Sequence, residues 1–174
     1  MLGAPVPQEA IHRLRSRMHH LASCMPPVVL SSVVKSTCNA WTTSGRFAGP
    51  SLPCPFGCRA ERGDKWAHFV TCTAFRRMWR EACPNASQIF HNLSLEKVLL
   101  ISPDMPKEAV CQVDLWADVV GHLYNDMRAR GTSPSRALVD GGEMIRARLR
   151  QLAVQSDQAR AVIIVIRAVV AANG

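Results

Sequence analysis

Three cysteines and one histidine lie near the middle of the sequence at spacings that suit a metal site. Cys54 and Cys58 flank a turn-forming Pro-Phe-Gly triplet, and His68 and Cys72 follow them, four residues apart. If Asp64 caps a helix, His68 and Cys72 lie one above the other on the same helical face. A turn with two thiols opposed to such a face supplies the tetrahedral ligand set of a structural zinc site. We therefore predict one zinc ion bound by all four side chains.

The chemistry of these ligands favours zinc over other metals and a closed site over a catalytic one. Thiolate and imidazole groups favour zinc over magnesium or calcium, and four protein ligands leave no position for water or substrate. The alternative is that the four residues are unrelated, because free cysteine is often buried as a small hydrophobic side chain. Four other cysteines are expected on or near the apolar core, namely Cys24, Cys38, Cys83 and Cys111. Among them, Cys83 is the reasonable substitute ligand.

Motifs of the common enzyme classes are absent from the sequence. Pro53-Cys54 begins a string like that of zinc deaminases, but those enzymes also need an upstream H-x-E segment. His12, His19 and His20 are each followed two residues later by a residue other than Glu. The sequence has no P-loop, G-x-G-x-x-G, Ser-His-Asp order or paired-carboxylate motif. We predict a non-catalytic protein, and we expect the His19-His20 pair to be an exposed helical pair rather than a metal site.

The charge of the chain is concentrated in its first half. The whole sequence has 21 Lys and Arg against 13 Asp and Glu, a formal charge of +8. Residues 1–84 contain 11 basic and 4 acidic side chains, whereas residues 85–174 contain 10 and 9. A positive field favours polyanions, chiefly RNA or DNA. The alternative is a solvated basic surface that only aids solubility.

Basic side chains around the predicted metal site are the candidates for nucleic-acid contacts. They are Arg59, Arg62, Lys65, Arg76, Arg77 and Arg80, with Arg13 and Arg15 added from the first helix. Contacts of this kind to phosphate give affinity without sequence choice. Trp66 and Phe56 could stack on unpaired bases. The alternative is that the two aromatic side chains pack the zinc-binding segment and that the arginines are solvated.

Compartment and membrane association follow from the cysteine count and the apolar runs. Seven cysteines cannot all pair, and the N-terminus lacks the basic start and apolar stretch of a secretory signal. We expect an intracellular protein, nuclear or cytoplasmic, in a reducing compartment. The longest apolar run, residues 161–172, is interrupted by Arg167 and is too short to span a bilayer. It is expected to form a buried terminal helix with no membrane partner.

The elements before the metal site are predicted to be helical. Apolar residues between 11 and 25 repeat at spacings of three and four, which indicates a helix. Pro26-Pro27 ends that helix and suits the start of the next. Residues 28–41 have helical spacing, although their β-branched content leaves a strand open. The two segments would form a helical hairpin, followed by a loop over residues 42–53 and a helix from Asp64 to about Cys83.

The second half is also predicted to be helical. A short helix is expected within residues 86–101, and the clearest helix of the chain runs from Pro106 to a C-cap at Gly131. Ser133-Pro134-Ser135 opens another helix, which Gly141-Gly142 is expected to bend or break. Ser156-Asp157 can cap the last helix.

We therefore predict an all-α protein, a helical bundle with a small zinc-stapled turn-helix (CCHC) knuckle. Residues 1–50 form the helical hairpin and loop, residues 51–84 the zinc knuckle and basic helix, and residues 85–174 a helical C-terminal bundle. The bundle and the knuckle are expected to form one compact unit.

The segment from Cys54 to Trp79 resembles the zinc-binding segment near the C-terminus of non-LTR retrotransposon reverse transcriptases. The matching letters are C-P-F-G-C and, after a polar loop, W-A-H-F-V-T-C-T-A-F. The resemblance assigns family roles to Cys54, Cys58, Asp64, His68, Phe69-Val70, Cys72 and Phe75. The letters W-T-T-S-G-R-F of residues 41–47 are similar to a lead-in found in some protist members, and a fainter likeness extends to residue 131.

The resemblance does not extend to the polymerase domain. That enzyme needs a Y/F-x-D-D type motif at a strand turn, whereas Tyr124-Asn125-Asp126-Met127 lies in the clearest predicted helix. The resemblance therefore implies a detached C-terminal region or a degenerate remnant, without reverse transcriptase activity. Members of the family are thought to use this region to hold element RNA or target DNA.

Two functions remain open at this point. The first is a zinc-stabilised module that binds RNA or DNA through its basic surface. The second is a structural or protein–protein interaction domain, which would offer an apolar groove to a helical protein partner and suits the near-neutral residues 85–174 better. A non-functional retroelement remnant is a further alternative.

Overall fold

A computed structural model of the chain describes residues 7–38, 40–41, 43, 52–58, 60, 63–84, 93–131 and 133–167. Those residues form helices and connecting turns, and no strand occurs among them, so the predicted all-α fold is confirmed. The helices are α1 (Gln8–Cys24), α2 (Pro27–Thr37), α3 (Trp66–Thr71), α4 (Thr73–Ala82), α5 (Leu95–Val98), α6 (Lys107–Arg130), α7 (Pro134–Gln155) and α8 (Asp157–Arg167).

Helix α6 is the centre of the bundle. It begins after Pro106 and ends at Gly131, whose left-handed backbone (φ 59°, ψ 34°) closes the helix as predicted. Every residue from 113 to 121 is buried, so α6 has no solvent-facing side over that stretch. Helices α1, α2, α5, α7 and α8 all pack against it. A helix that is buried all round must be mostly apolar, and the sequence of α6 meets that requirement.

Helices α1 and α2 form the predicted hairpin. Pro26 is the N-cap of α2 and Pro27 its first residue, where the missing N–H of proline has no cost. The β-branched content of α2 does not make it a strand, because its helical spacing places Val29 and Val33 together against α6, whereas Val28 and Val34 are exposed. Val29 and Val33 are buried there, and the Ser32 hydroxyl of the same face donates a hydrogen bond of 3.0 Å to a buried carboxylate of α6.

Gly141-Gly142 are predicted to bend or break the helix, and the break is wrong, because α7 runs through both glycines without interruption. The reason is packing. A Cβ on Gly141 would collide with the sulfur of Met78 in α4, so the missing side chain lets α4 and α7 approach closely. The predicted start of α7 is confirmed, since the Ser133 hydroxyl accepts a hydrogen bond from the Arg136 N–H.

The last helix is capped as predicted but only half buried. The Ser156 hydroxyl accepts a hydrogen bond of 3.2 Å from the Ala159 N–H. The terminal helix is predicted to be buried. Ile163 and Ile166 are buried, whereas Ile164 is 59% exposed, so α8 buries only one face. The described part of this helix ends at residue 167, and residues 168–172 of the predicted run lie outside it. Most of the predicted loop 42–53 and residues 86–92 also lie outside the described residues.

Two arginines tie distant segments of the bundle together. Arg148 of α7 donates two hydrogen bonds, of 2.7 and 3.0 Å, to Asp118 of α6, and both side chains are buried. Arg17 of α1 donates to the backbone carbonyls of Leu100, Ser102 and Met105. These carbonyls belong to the turn that leads into α6, so the N-terminal helix holds that turn in place.

Candidate metal centre

The turn between Cys54 and Cys58 brings the two thiols towards one point. The Gly57 N–H donates a hydrogen bond of 3.2 Å to the Cys54 carbonyl, and Gly57 has a φ of 85°, a backbone region that favours glycine. A second turn supports the first, because the Ala60 carbonyl accepts hydrogen bonds from the N–H groups of Cys54 and Gly63. The sequence C-P-F-G-C thus folds into a compact two-thiol turn.

The other two side chains come from the joint between α3 and α4. His68 lies in α3, but Cys72 lies between the helices, with an extended backbone (φ −60°, ψ 115°). The predicted single helix from residue 64 to 83 is therefore wrong at Cys72. The predicted cap is also wrong, because the N-cap of α3 is Lys65 and no side chain caps it. The Asp64 carboxylate instead forms an ion pair of 2.7 Å with Arg128 of α6.

The four side chains converge in spite of that break. The ligand atoms of Cys54, Cys58, His68 and Cys72 all lie within 4.8 Å of one another. The Sγ atoms of Cys54 and Cys72 are 3.6 Å apart, and Cys58 Sγ is 3.1 Å from His68 Nε2. Three sulfurs and one nitrogen at such separations can surround one metal ion, so the predicted cluster could hold a metal.

Burial controls the protonation of this cluster. Cys54 and Cys72 are about 1% and 0% exposed, whereas Cys58 and His68 are half-buried. The hydrogen bond with Cys72, and then burial, raise the pKa of Cys54 well above its ordinary value, and burial raises the pKa of Cys58. Burial lowers the pKa of His68. A cation bound here would therefore displace thiol protons and meet an imidazole that is already neutral.

Aromatic side chains attach the two-thiol turn to the bundle. Phe56, at the tip of the turn, is 0% exposed and contacts Phe69 and Phe75 with ring centroids 5.0 Å away in each case. Trp66 is 5% exposed and stacks on Trp41 with centroids 4.9 Å apart. Neither Phe56 nor Trp66 has a ring face open to a base, so the prediction that they stack on nucleic acid is wrong for this conformation. They pack the metal-binding segment, as the alternative reading proposed.

The predicted basic contacts fall into three groups. Lys65 and Arg80 are exposed, and Arg77 is exposed while forming an ion pair of 3.0 Å with Glu81. Arg76 is half-buried, and its guanidinium donates to the Val70 and Leu93 carbonyls. It is therefore a structural side chain in this conformation. Arg59 and Arg62 lie outside the described residues.

The two basic candidates of α1 also differ from each other. Arg15 is exposed, whereas Arg13 donates a hydrogen bond of 3.0 Å to the Ile101 carbonyl and lies 3.7 Å from Glu9. Arg15 is thus the more available of the two for a phosphate.

The remaining cysteines reveal a second cluster that the sequence analysis missed. Cys83 is buried as expected, and Cys38 is exposed, contrary to its expected place near the core. Cys24 and Cys111, expected in the core, lie beside His20, and the three ligand atoms are within 4.8 Å of one another. The i, i+4 spacing of His20 and Cys24 is the one signal available in the sequence, since Cys111 is 87 residues away.

Comparison of the chain with protein-family models, with curated proteins and with solved structures finds no match. Among the described residues, no helix combines the length and the apolar character needed to cross a membrane.

Proposed function

We propose that the chain is a zinc-stabilised, non-catalytic helical module that binds RNA or DNA through a basic surface. The observation that carries the proposal is the convergence of three thiols and one imidazole within 4.8 Å. In a tetrahedral zinc site, with bonds of about 2.3 Å to sulfur and 2.0 Å to nitrogen, two sulfurs lie about 3.8 Å apart and a sulfur and a nitrogen about 3.5 Å apart. The observed 3.6 and 3.1 Å are close to these values.

The role proposed for zinc is to fix the knuckle on the bundle. With four protein ligands the ion has no open position, so it joins the two-thiol turn to the α3–α4 joint and performs no chemistry. The donor set supports zinc over hard cations, because thiolates are soft ligands.

The metal is tested by its content in protein purified without added zinc. We expect one zinc per chain at this site, lost in Cys58→Ser and in Cys72→Ser and retained in Cys38→Ser. The last variant is the matched control, since Cys38 is an exposed thiol outside the cluster. Unchanged zinc content in both ligand variants would rule the site out, as would full folding in a strong chelator.

Nucleic-acid binding is proposed from charge and from the resemblance to the retroelement segment. The excess of basic residues lies in residues 1–84, the part of the chain that also contains the proposed zinc site. Lys65, Arg77 and Arg80 are exposed on or beside α3 and α4, where they are available to phosphate groups. Such contacts bind without sequence preference and weaken as salt rises.

A salt series of binding to single-stranded RNA and DNA tests this part. We expect affinity that falls steeply with salt and is reduced in Lys65→Glu/Arg80→Glu. The control is a single charge reversal, Arg160→Glu, at an exposed position of α8 in the near-neutral half. No detectable binding at low salt, or equal losses in both variants, would refute the basic surface.

A protein-interaction domain is the second candidate. The observation that favours it is exposed apolar bulk near the C-terminus of the described chain, where Val154, Ile164 and Val165 are 81%, 59% and 61% exposed. Binding to a helical protein partner that survives nuclease and high salt, and that is lost in Ile164→Ser/Val165→Ser, would favour this function over the first.

A further inference from the structure

A second group of metal-binding side chains lies between α1 and α6. His20 and Cys24 are one helical turn apart in α1, so both face in the same direction, and Cys111 faces them from α6. The Cys111 Sγ is 3.9 Å from the Cys24 Sγ and 3.7 Å from the His20 Nε2. All three ligand atoms lie within 4.8 Å of one another.

These separations match three corners of a zinc tetrahedron. The sulfur–sulfur and sulfur–nitrogen edges expected around zinc are about 3.8 and 3.5 Å, against the 3.9 and 3.7 Å observed. Two thiols and one imidazole are a known ligand set of zinc sites that keep the fourth position for water or substrate. Two edges are therefore close to those of a zinc site, and the third, between Cys24 and His20, is within 4.8 Å.

A buried carboxylate beside the cluster supports a cation there. Asp114 follows Cys111 by less than one turn of α6 and is 0% exposed, and neither of its oxygens has a hydrogen-bond partner among the described residues. Its neighbour Asp118 is paired with Arg148, whereas Asp114 forms no ion pair within the described part of the chain. Burial and the charge of Asp118 raise the pKa of Asp114 well above its ordinary value. Buried polar groups without a partner are explained by a bound ion or water, so Asp114 is a second observation that favours an ion at this place.

A cavity lies next to the cluster on its solvent side. Its volume is about 300 Å³, and its lining includes His20, Glu108 and Cys111 with the apolar side chains Val162 and Val165 of α8. An ion on the three ligands would thus have its fourth position facing this space. The cavity is large enough for water and for a small organic ligand.

We propose that His20, Cys24 and Cys111 bind a second zinc ion whose fourth position opens into this cavity. Its fourth ligand is water or a small molecule with a soft or anionic donor, such as a thiolate, with its apolar part against Val162 and Val165. This site is independent of the zinc at Cys54, Cys58, His68 and Cys72.

Titration of the metal-free full chain with Co²⁺, followed by its visible and thiolate charge-transfer bands, tests the proposal. We expect two equivalents for the wild type and one for each of His20→Gln, Cys24→Ser and Cys111→Ser. Cys38→Ser is the matched control and should bind two. His20→Gln is the safest variant for folding, because His20 is half-buried at the edge of the cavity. Unchanged stoichiometry in folded His20→Gln and Cys111→Ser would overturn the site.

The open fourth position has its own test. Added imidazole or 2-mercaptoethanol should shift the cobalt spectrum of the wild type and leave that of Cys111→Ser unchanged, because the other site is closed. Identical shifts in both proteins, or none in the wild type, would contradict an open position. If the site that includes Cys58 bound no metal, the wild type would bind one equivalent of cobalt, which would be lost in His20→Gln and retained in Cys58→Ser. Failure of the proposed function is therefore distinguishable from failure of the second site.

Discussion

The two cysteine–histidine clusters of this chain are assembled over very different distances in sequence. The first draws all its ligands from residues 54–72, a turn and the joint between two short helices. The second brings residues of α1 together with Cys111 of α6, across a contact between long helices. The first has two fully buried and two half-buried ligands, whereas the second borders a cavity. A metal in the first would shape its own segment, and a metal in the second would occupy a site that the bundle has already shaped.

Loss of a ligand from the first cluster should have the largest effect on stability. We expect Cys72→Ser, or a chelator, to lower the free energy of unfolding by about 4 kcal/mol at zinc concentrations 1,000-fold above the dissociation constant. The measurement is thermal unfolding with and without zinc. His20→Gln should cost far less, because the bundle forms the second cluster without metal. Equal losses in the two variants would remove the distinction between the clusters.

Truncation of Phe56 tests whether the two-thiol turn is positioned by the apolar core or by the metal. Phe56→Ala should lower the free energy of unfolding by about 3 kcal/mol, since it removes a fully buried ring from contact with two others. Denaturant unfolding of the zinc-loaded protein measures the cost. A loss below about 1 kcal/mol would mean that the turn is held by its metal alone.

Asp114, the buried carboxylate beside the second cluster, can be replaced by the neutral Asn. The pKa of Asp114 is raised in the folded state above its ordinary 3.8. The folded state is therefore most stable below pH 4, where this carboxyl group is protonated, and it loses stability as pH rises. In metal-free protein, Asp114→Asn should therefore be more stable than the wild type at neutral pH.

The pH dependence of that difference is the control. It should shrink towards pH 4, where the carboxyl group of the wild type becomes protonated. A difference that is the same at pH 4 and pH 7 would show that ionisation of Asp114 has no part in it.

Reversal of surface charge should have the smallest effect on stability and a selective effect on binding. Lys65→Glu/Arg80→Glu should change the free energy of unfolding by less than about 0.5 kcal/mol. The same change should reduce the salt dependence of RNA binding by about one unit of slope per lost phosphate contact. Arg160→Glu should leave the salt dependence unchanged. If Arg160→Glu also lowered it, RNA binding could not be assigned to residues 1–84.

Local patterns in the sequence predicted what depends on local physics. The ends of α6 and the start of α2 follow from Pro106, Gly131 and Pro27, whose backbone preferences act within a few residues. The convergence of Cys54 and Cys58 could be predicted for the same reason, because the turn that joins them lies between these two residues.

Features set by tertiary packing could not be predicted in this way. Gly141 indicates a break by its propensity, but its real role depends on Met78 of another helix. The extended backbone at Cys72 divides a segment whose letters read as one continuous helix. The second cluster depends on how α1 meets α6, and no spacing within either helix indicates that Cys111 faces His20.

The stacked indoles of Trp41 and Trp66 give the protein an intrinsic optical signal. The two rings are 4.9 Å apart and inclined by 19°. Because rings at this distance can couple their electronic transitions, we expect a paired band in the circular dichroism of the folded chain. Trp41 follows α2 and lies against Gly121 of α6, whereas Trp66 opens α3. The band therefore reports, without any added label, whether the cysteine-bearing segment is docked on the rest of the molecule.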